Sequence, residues 1–251
     1  MAHDHIGIPK FIEKGFSYNN QVYVSDVLRD KRYVMSVDRL GTENNYYDED
    51  VEKQILASGI ESSFSQFYND FCGTRDIKFM KQILDLNTAL IEEFFSFMFM
   101  RAKKTLEQVN RESITSQVFG NIDHSELLRI QLLIQTNPLQ IIGKKFSFYP
   151  LVNLSKTLFI DNSIGFGLMK NKKEEYSFII PLNTRVAILI SRNMEQIDNG
   201  FFIESNGDYK VDRINKRIID MEKALGNGFF FGYEKSSIEN YTSYYKSIKA
   251  E

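Results

Sequence analysis

The sequence predicts an α+β fold, because strand-like and helix-like patterns occupy separate stretches of the chain instead of alternating. The first 47 residues carry short alternating runs, residues 48–142 carry apolar positions at helical spacing, and strand-like runs followed by a helical pattern fill 143–251. We therefore expect a single domain over 1–251, built from an N-terminal β-hairpin, a central helical bundle, and a mainly antiparallel sheet followed by helices.

The N-terminal part is predicted to be a β-hairpin. Residues 21–24 and 32–35 alternate and are rich in β-branched and aromatic side chains, and the polar residues 28–31 separate them. Those residues lack an Asn-Gly or Asp-Gly pair, so the turn type stays open. The hairpin either joins the C-terminal sheet or caps it.

The central part is predicted to hold helices. An apolar stripe over 51–71, interrupted by Gly59, predicts one helix with a weak point, or two. The next stripe predicts one long helix over about 76–109, and a third helix is expected from about 123 to 136, ahead of a proline.

One stretch of the long helix imitates a membrane span. Residues 89–100 are largely apolar, but Glu92 and Glu93 interrupt them. The stretch is shorter than the roughly 20 residues that a bilayer crossing needs. We therefore expect a buried core helix and no membrane partner.

The C-terminal part is predicted to be a sheet followed by a helix. Dense Val, Ile and Phe content predicts strands buried on both faces over residues 146–149, 157–160, 177–180 and 186–191. A helix is expected over 212–224, ending at a Gly-Asn-Gly sequence. The three Phe residues that follow are expected to pack back onto the sheet.

Composition excludes several functional classes. The formal net charge of −2 argues against attraction of the whole protein to nucleic acid or anionic lipid, although a local basic patch remains compatible with it. The single cysteine, Cys72, excludes an intramolecular disulfide and a multi-cysteine metal site. The N-terminal residues do not form a charged-then-apolar leader, so we expect a cytoplasmic protein. The sequence also lacks a Walker motif, a nucleophile elbow and a His-Glu-x-x-His motif.

Short motifs follow one another along nearly the whole chain. They are Ile8-Pro9-Lys10-Phe11, Gly15-Phe16, Val22-Tyr23-Val24, Asn44-Asn45-Tyr46-Tyr47, Arg101, Asp161-Asn162, Phe178 to Leu182, and Asn215. In this order they resemble an uncharacterised bacterial family, domain of unknown function four-two-three-eight. The His that opens the family's pattern falls on Ile6 here, and His5 lies one place away. The resemblance implies a bacterial protein but no particular activity.

Asp161 and Asn162 are the leading candidates for a functional site, because they follow an apolar run at a predicted strand end. Asp161 is a candidate general base or metal ligand, and Asn162 a candidate substrate ligand. The alternative is that both residues close an Asx-type turn with their own side chains.

Other candidates are scattered along the chain. His5 is a candidate catalytic partner of Asp161, or else a solvent-facing terminal residue. Arg101 suits a substrate phosphate or carboxylate, or else only complements the helix dipole. Glu93 is a candidate substrate ligand in an apolar helix, where a salt bridge with an arginine is the alternative.

Two functional hypotheses follow. The first is an enzyme, for example a hydrolase or nuclease, that acts on a phosphate-containing or nucleic-acid substrate in bacterial defence or as a toxin. Asp161 and His5 would be catalytic, and a divalent metal ion is an allowed cofactor. The second is a non-catalytic binding or interaction module in which the same polar residues are structural. The sequence leaves open the choice between them, the substrate and the oligomeric state.

Overall fold

The computed structural model describes residues 3–5, 8–44, 51, 59–102, 105, 107, 123, 146–170, 176–191 and 200–248. Over these residues the protein has the predicted α+β fold. The helices are α1 (Lys10–Lys14), α2 (Glu61–Gly73), α3 (Ile77–Leu86), α4 (Thr88–Arg101), α5 (Asp208–Leu225) and α6 (Lys235–Ser247). The strands are β1 (His3–His5), β2 (Gln21–Asp26), β3 (Lys31–Ser36), β4 (Thr42–Asn44), β5 (Ser147–Asn153), β6 (Asp161–Asn162), β7 (Gly167–Lys170), β8 (Tyr176–Pro181), β9 (Val186–Ser191), β10 (Phe201–Ile203) and β11 (Phe229–Gly232).

The larger sheet has five strands in the order β10-β5-β9-β8-β7. Neighbouring strands are antiparallel except β10, which runs parallel to β5. Every residue of the central strand β9 is buried, as the unbroken apolar run 186–191 predicts. Helix α5 packs on the edge strand β7, where the Ile218 side chain fills the space that Gly167 leaves open.

The second sheet has four strands in the order β3-β2-β11-β6. The predicted hairpin forms its β2–β3 half, and the last strand of the chain, β11, pairs with β2 on one side and with β6 on the other. The hairpin therefore neither joins the five-stranded sheet nor merely caps it. This arrangement brings Asp161 opposite Phe231 in a buried part of the fold.

The prediction of one helix over 76–109 is wrong, because a break at Asn87 separates α3 from α4. The Asn87 side-chain amide donates to the carbonyl of Ile83 at 2.8 Å, and the Asn87 backbone has left the helical region with φ −115° and ψ 19°. A short amide side chain that bonds its own preceding turn competes with helix continuation. The predicted helix over 123–136 lies outside the described residues except for 123.

The prediction of a strand over 157–160 is also wrong. The backbone groups that a neighbouring strand would pair are bonded by one side chain of α5. The Asn215 amide donates to the Leu158 carbonyl at 2.9 Å, and its oxygen accepts from the Ile160 N–H at 3.2 Å. Regular pairing starts only at Asp161.

The apolar stretch 89–100 is a core helix, as predicted. Phe94 stacks on Phe64 with ring centroids 3.6 Å apart, and Phe95 lies 5.0 Å from both Phe166 and Phe178. Such aromatic pairs stabilise a fold by about 0.5–1.5 kcal/mol each beyond simple burial. Over the described part of the chain, none of the helices combines the length and apolarity that crossing a bilayer requires.

Candidate functional site

Four charged side chains from four elements lie close together inside the protein, and we call them the buried ionic cluster: Glu13 of α1, Glu61 of α2, Arg101 of α4 and Asp161 of β6. Glu13 and Arg101 are each 2% exposed and Asp161 is 0% exposed. The charges of Asp161, Arg101 and Glu61 all act on the Glu13 carboxyl group. Because the four residues come from distant parts of the chain, only the fold assembles the cluster.

Helix α1 directs Glu13 into the protein. Pro9, with an extended backbone, precedes the helix, and its carbonyl accepts from the N–H groups of Ile12 at 3.0 Å and Glu13 at 3.3 Å. Gly15 then ends the helix against the neighbouring loop, where an added Cβ would lie 2.6 Å from the Leu182 carbonyl oxygen. Within this short helix the side chains of Ile12 and Glu13 are both buried.

Arg101 ends α4 and provides the positive charge of the cluster. One guanidinium nitrogen, Nη1, donates to Oε1 of Glu61 at 2.7 Å, and the Glu61 side chain is 21% exposed. The alternative from the sequence is that Arg101 only complements the helix dipole, and its position at the end of α4 is compatible with that role. Its burial adds a requirement, because a buried guanidinium needs partners that offset its lost hydration.

Within the described part of the chain, the buried Asp161 carboxylate is satisfied at only one of its two oxygens. Its Oδ1 accepts from the Asn162 N–H at 2.9 Å, whereas its Oδ2 is buried without a hydrogen-bond partner among the described residues. Burial raises the pKa of Asp161 well above the ordinary value; the Asn162 hydrogen bond opposes the rise, and the Glu222 charge adds to it. An unsatisfied buried polar group costs about 1–3 kcal/mol.

Glu13 and Asp161 form a carboxyl pair with raised pKa values. Burial raises the pKa of Glu13 well above the ordinary value, the charge of Asp161 raises it further, and Arg101 lowers it. A carboxyl group with a raised pKa is the kind of group that general acid–base chemistry uses.

Asn162 is occupied by structural hydrogen bonds, contrary to its predicted role as a substrate ligand. Its amide nitrogen donates to the carbonyls of Phe166 at 2.9 Å and Ile218 at 2.8 Å. Its side-chain oxygen accepts from the N–H groups of Ile164 at 3.2 Å and Gly165 at 2.8 Å. Both amide hydrogens and both lone pairs are thus in use. Asn162 therefore closes an Asx-type turn, which is the alternative role that the sequence analysis gave for it.

The structure does not place the other predicted site residues, Glu93 and His5, in the buried ionic cluster. Glu93 lies on the exposed face of α4, and its charge is not among those that act on Glu13. The backbone of His5 pairs with Thr42 in the small β1–β4 sheet, and the His5 side chain lies outside the described residues. The structure brings Arg101 and Asp161 together around Glu13, while the convergence of His5 with them stays a prediction.

A second buried carboxylate, Glu222, fastens the turn after Asp161 to β11. It accepts from the N–H of Ser163 at 2.9 Å, from the Ser163 hydroxyl at 2.8 Å, and from the N–H groups of Gly228 at 2.7 Å and Phe229 at 3.0 Å. Burial raises the pKa of Glu222 to about 7, although these hydrogen bonds lower it. A Cβ at Gly226 would overlap the Glu222 carboxylate, so glycine is required there.

Sequence reasoning missed Glu13, Glu61 and Glu222. Glu222 is one of several polar residues in an amphipathic helix, and nothing in the 3.6-residue period shows which of them turns inward. Glu13 lies in a helix of five residues, too short for a periodic signal. The only local sign was the preceding proline, which favours a helix start.

The buried carboxylates predict that the protein becomes less stable as pH rises. The pKa values of Glu13, Asp161 and Glu222 are higher in the folded than in the unfolded protein, so the stabilisation from each group is lost as pH rises through its folded pKa. For Glu222 the stabilisation is complete below about pH 4.5 and is lost as pH rises through about 7. For Glu222 alone the loss between pH 5 and pH 8 is about 2–3 kcal/mol, since one pKa unit corresponds to about 1.4 kcal/mol. Urea unfolding at both pH values measures it.

Two variants test whether the pH dependence of stability comes from Glu222. Glu222→Gln is expected to flatten the pH dependence between pH 5 and pH 8, because the amide does not titrate. Glu93→Gln, which changes an exposed carboxylate on α4, is expected to leave the slope unchanged. A wild-type protein more stable at pH 8 than at pH 5 would contradict the prediction.

The described residues contain no group of three or more His, Cys, Asp or Glu side chains placed to hold a metal ion. The use of a divalent metal ion as a cofactor stays a prediction. Comparison of the chain with protein-family models, with curated proteins and with solved structures found no match.

Proposed function

We propose that the protein is an enzyme that acts on a phosphate-containing substrate, with the Glu13–Asp161 carboxyl pair transferring protons beside Arg101. The observation that carries the proposal is the Asp161 Oδ2 atom, which is buried and has no hydrogen-bond partner among the described residues. The nearby polar side chains Asn162, Asn215 and Glu222 are all satisfied. A buried carboxylate left unsatisfied in such surroundings is the kind of group that active sites retain at a cost in stability.

The charges assign different roles to the two carboxyl groups. Arg101 favours negative charge on Glu13, whereas Asp161 has only the Asn162 N–H to stabilise its ionised form and faces the charge of Glu222. On this basis the proposal assigns the general acid to Asp161 and the general base to Glu13.

Arg101 supplies the binding group for the substrate. Its guanidinium holds Glu61, which is the partly exposed member of the cluster. The planar guanidinium fork of arginine donates hydrogen bonds to two phosphate oxygens as well as to a carboxylate, so a substrate phosphate would replace Glu61 at that position. The family resemblance, the bacterial setting and a role in defence or toxicity belong to the same proposal and rest on the sequence motifs.

The proposal is tested by phosphoester hydrolysis. Wild-type protein is assayed with p-nitrophenyl phosphate, bis(p-nitrophenyl) phosphate and end-labelled single-stranded RNA and DNA, with and without Mg²⁺ or Mn²⁺. We expect turnover of at least one substrate, reduced about 10²- to 10⁴-fold by Glu13→Gln. The control Glu93→Gln keeps full activity. Equal rates in wild type and Glu13→Gln, or turnover of none of these substrates, would reject the proposal.

One observation favours a non-catalytic binding module instead. The Arg101 charge is already compensated by Glu61 at 2.7 Å, which is the arrangement of a structural ion pair. In that case Glu61→Gln destabilises the protein but changes no phosphate affinity. If Arg101 is a substrate ligand, the same substitution frees its guanidinium and tightens phosphate binding, which titration calorimetry with inorganic phosphate distinguishes.

A further inference from the structure

A cleft of about 430 Å³ lies beside the four-stranded sheet. Three segments bound it: the β2–β3 hairpin with its turn, residues 39–42, and residues 227–229 ahead of β11. Its volume falls within the roughly 300–1,000 Å³ of small-molecule sites. No residue of the buried ionic cluster lines the cleft, so what it binds is independent of the proposed function.

Two arginines make the cleft cationic. Arg29 is held by Asp26, which accepts from the Arg29 N–H at 2.9 Å and lies 3.3 Å from its guanidinium. Arg39 also lines the cleft, and among the described residues no carboxylate pairs with its guanidinium. Two positive charges against one negative charge leave the cleft with a net positive charge, which attracts an anion.

Apolar and aromatic side chains form part of the remaining wall, beside the polar groups of Thr42 and Asn227. Val24 and Leu40 are buried beneath the cleft, and the half-buried rings of Tyr33 and Phe229 lie along it. Ligand sites combine apolar and aromatic walls of this kind with a few polar groups that set orientation. The lining therefore fits a ligand with an anionic end and a flat ring system that also carries polar groups.

The wall at Gly228 is held in place before any ligand arrives. Gly228 has φ +99°, its carbonyl accepts from the Val27 N–H at 2.9 Å, and its N–H donates to Glu222 at 2.7 Å. A Cβ at this position would overlap the Leu28 side chain. A preformed wall lowers the entropic cost of binding.

We propose that this cleft binds a nucleotide-sized organic phosphate, with the phosphate at Arg29 and Arg39 and the organic part against Tyr33 and Phe229. Arg39 contributes most to the affinity because its charge is not offset by a carboxylate, whereas Asp26 partly neutralises Arg29. Affinity decreases with added salt, because the phosphate contacts are electrostatic.

The test is titration calorimetry of the full chain with ADP, inorganic pyrophosphate and adenosine, at low and moderate NaCl. We expect ADP to bind more tightly than pyrophosphate and far more tightly than adenosine. Arg39→Gln is expected to raise the Kd for ADP about 10- to 100-fold, the range for hydrogen bonds to a charged group. The matched control is Arg32→Gln, an exposed arginine of the same hairpin that lies outside this cleft, and its Kd is expected to equal the wild-type value.

Each other outcome overturns part or all of the inference. No heat with ADP or pyrophosphate rejects the cleft as a phosphate site. Equal Kd values for ADP and pyrophosphate reject the assignment of the Tyr33–Phe229 wall to the organic part. An ADP affinity unchanged in Arg39→Gln, or weakened equally in Arg32→Gln, places the bound anion somewhere else on the protein. Arg39 is exposed, so its substitution is not expected to disturb folding.

Discussion

Replacing Arg101 with Met is expected to lower the free energy of unfolding by about 3–5 kcal/mol at pH 8, the usual cost of removing one partner from a buried ion pair. Without the guanidinium, Glu61 loses its ion-pair partner, and only the charge of Lys10 still opposes the charges of Asp161 and Glu61 at Glu13. The loss is expected to be smaller at pH 5, because protonation removes the repulsion. Urea unfolding of wild type and variant at both pH values measures the effect.

Two further variants make the result specific to the cluster. The double variant Arg101→Met with Glu61→Gln is expected to recover part of the loss, since one unpaired carboxylate is removed together with the cation. Arg213→Met, a change at an exposed arginine of α5, is the matched control and is expected to cost little. An Arg101→Met protein within about 1 kcal/mol of wild type at pH 8 would show that the cluster is hydrated and weakly coupled.

Replacing Asp161 with Asn is expected to abolish catalysis without loss of stability. The amide oxygen keeps the hydrogen bond from the Asn162 N–H, while a neutral amide replaces the titratable carboxyl group whose Oδ2 atom has no partner among the described residues. At pH 8 the variant is therefore expected to be at least as stable as wild type. Phosphoester hydrolysis is expected to fall about 10²- to 10⁴-fold, because Asn cannot donate the catalytic proton.

The contrasting variant is Asn162→Ala, one residue along the same turn. It removes four hydrogen bonds from buried backbone groups and is expected to destabilise the protein by several kcal/mol at every pH. Thermal unfolding and hydrolysis rates of both variants are compared with wild type. If Asp161→Asn destabilises the protein as strongly as Asn162→Ala, Asp161 is a structural turn residue. The proposed active site then has no general acid.

Much of the architecture was predictable, because burial imposes a period on the sequence. The runs at 186–191 and 177–180 became strands of the larger sheet, and the pattern at 212–224 became most of α5. The errors came from side chains that bond backbone groups. Asn87 breaks a helix that the apolar stripe would continue, and Asn215 binds the backbone of 158–160 in place of a strand. Hydrophobic periodicity carries no record of such bonds.

The candidate site was predictable only in part. Asp161 and Arg101 attracted notice because each is a polar residue at the end of an apolar run, and both proved to be buried. Asn162 shared the same sequence signal but has a structural role. Glu13 had only the preceding proline as a local sign, although it is the residue on which the charges of Asp161, Arg101, Lys10 and Glu61 all act.

The sequence alone determined the class of fold, the hairpin and the buried strands, since these depend on which residues avoid water and at what spacing. Only the tertiary structure decided that β11 pairs with both β2 and β6, which carries Asp161 into the interior. It also decided that Glu13 of α1 and Arg101 of α4 are both turned inward. Charge pairing across long sequence separations depends on distance in space, and no local pattern encodes that distance.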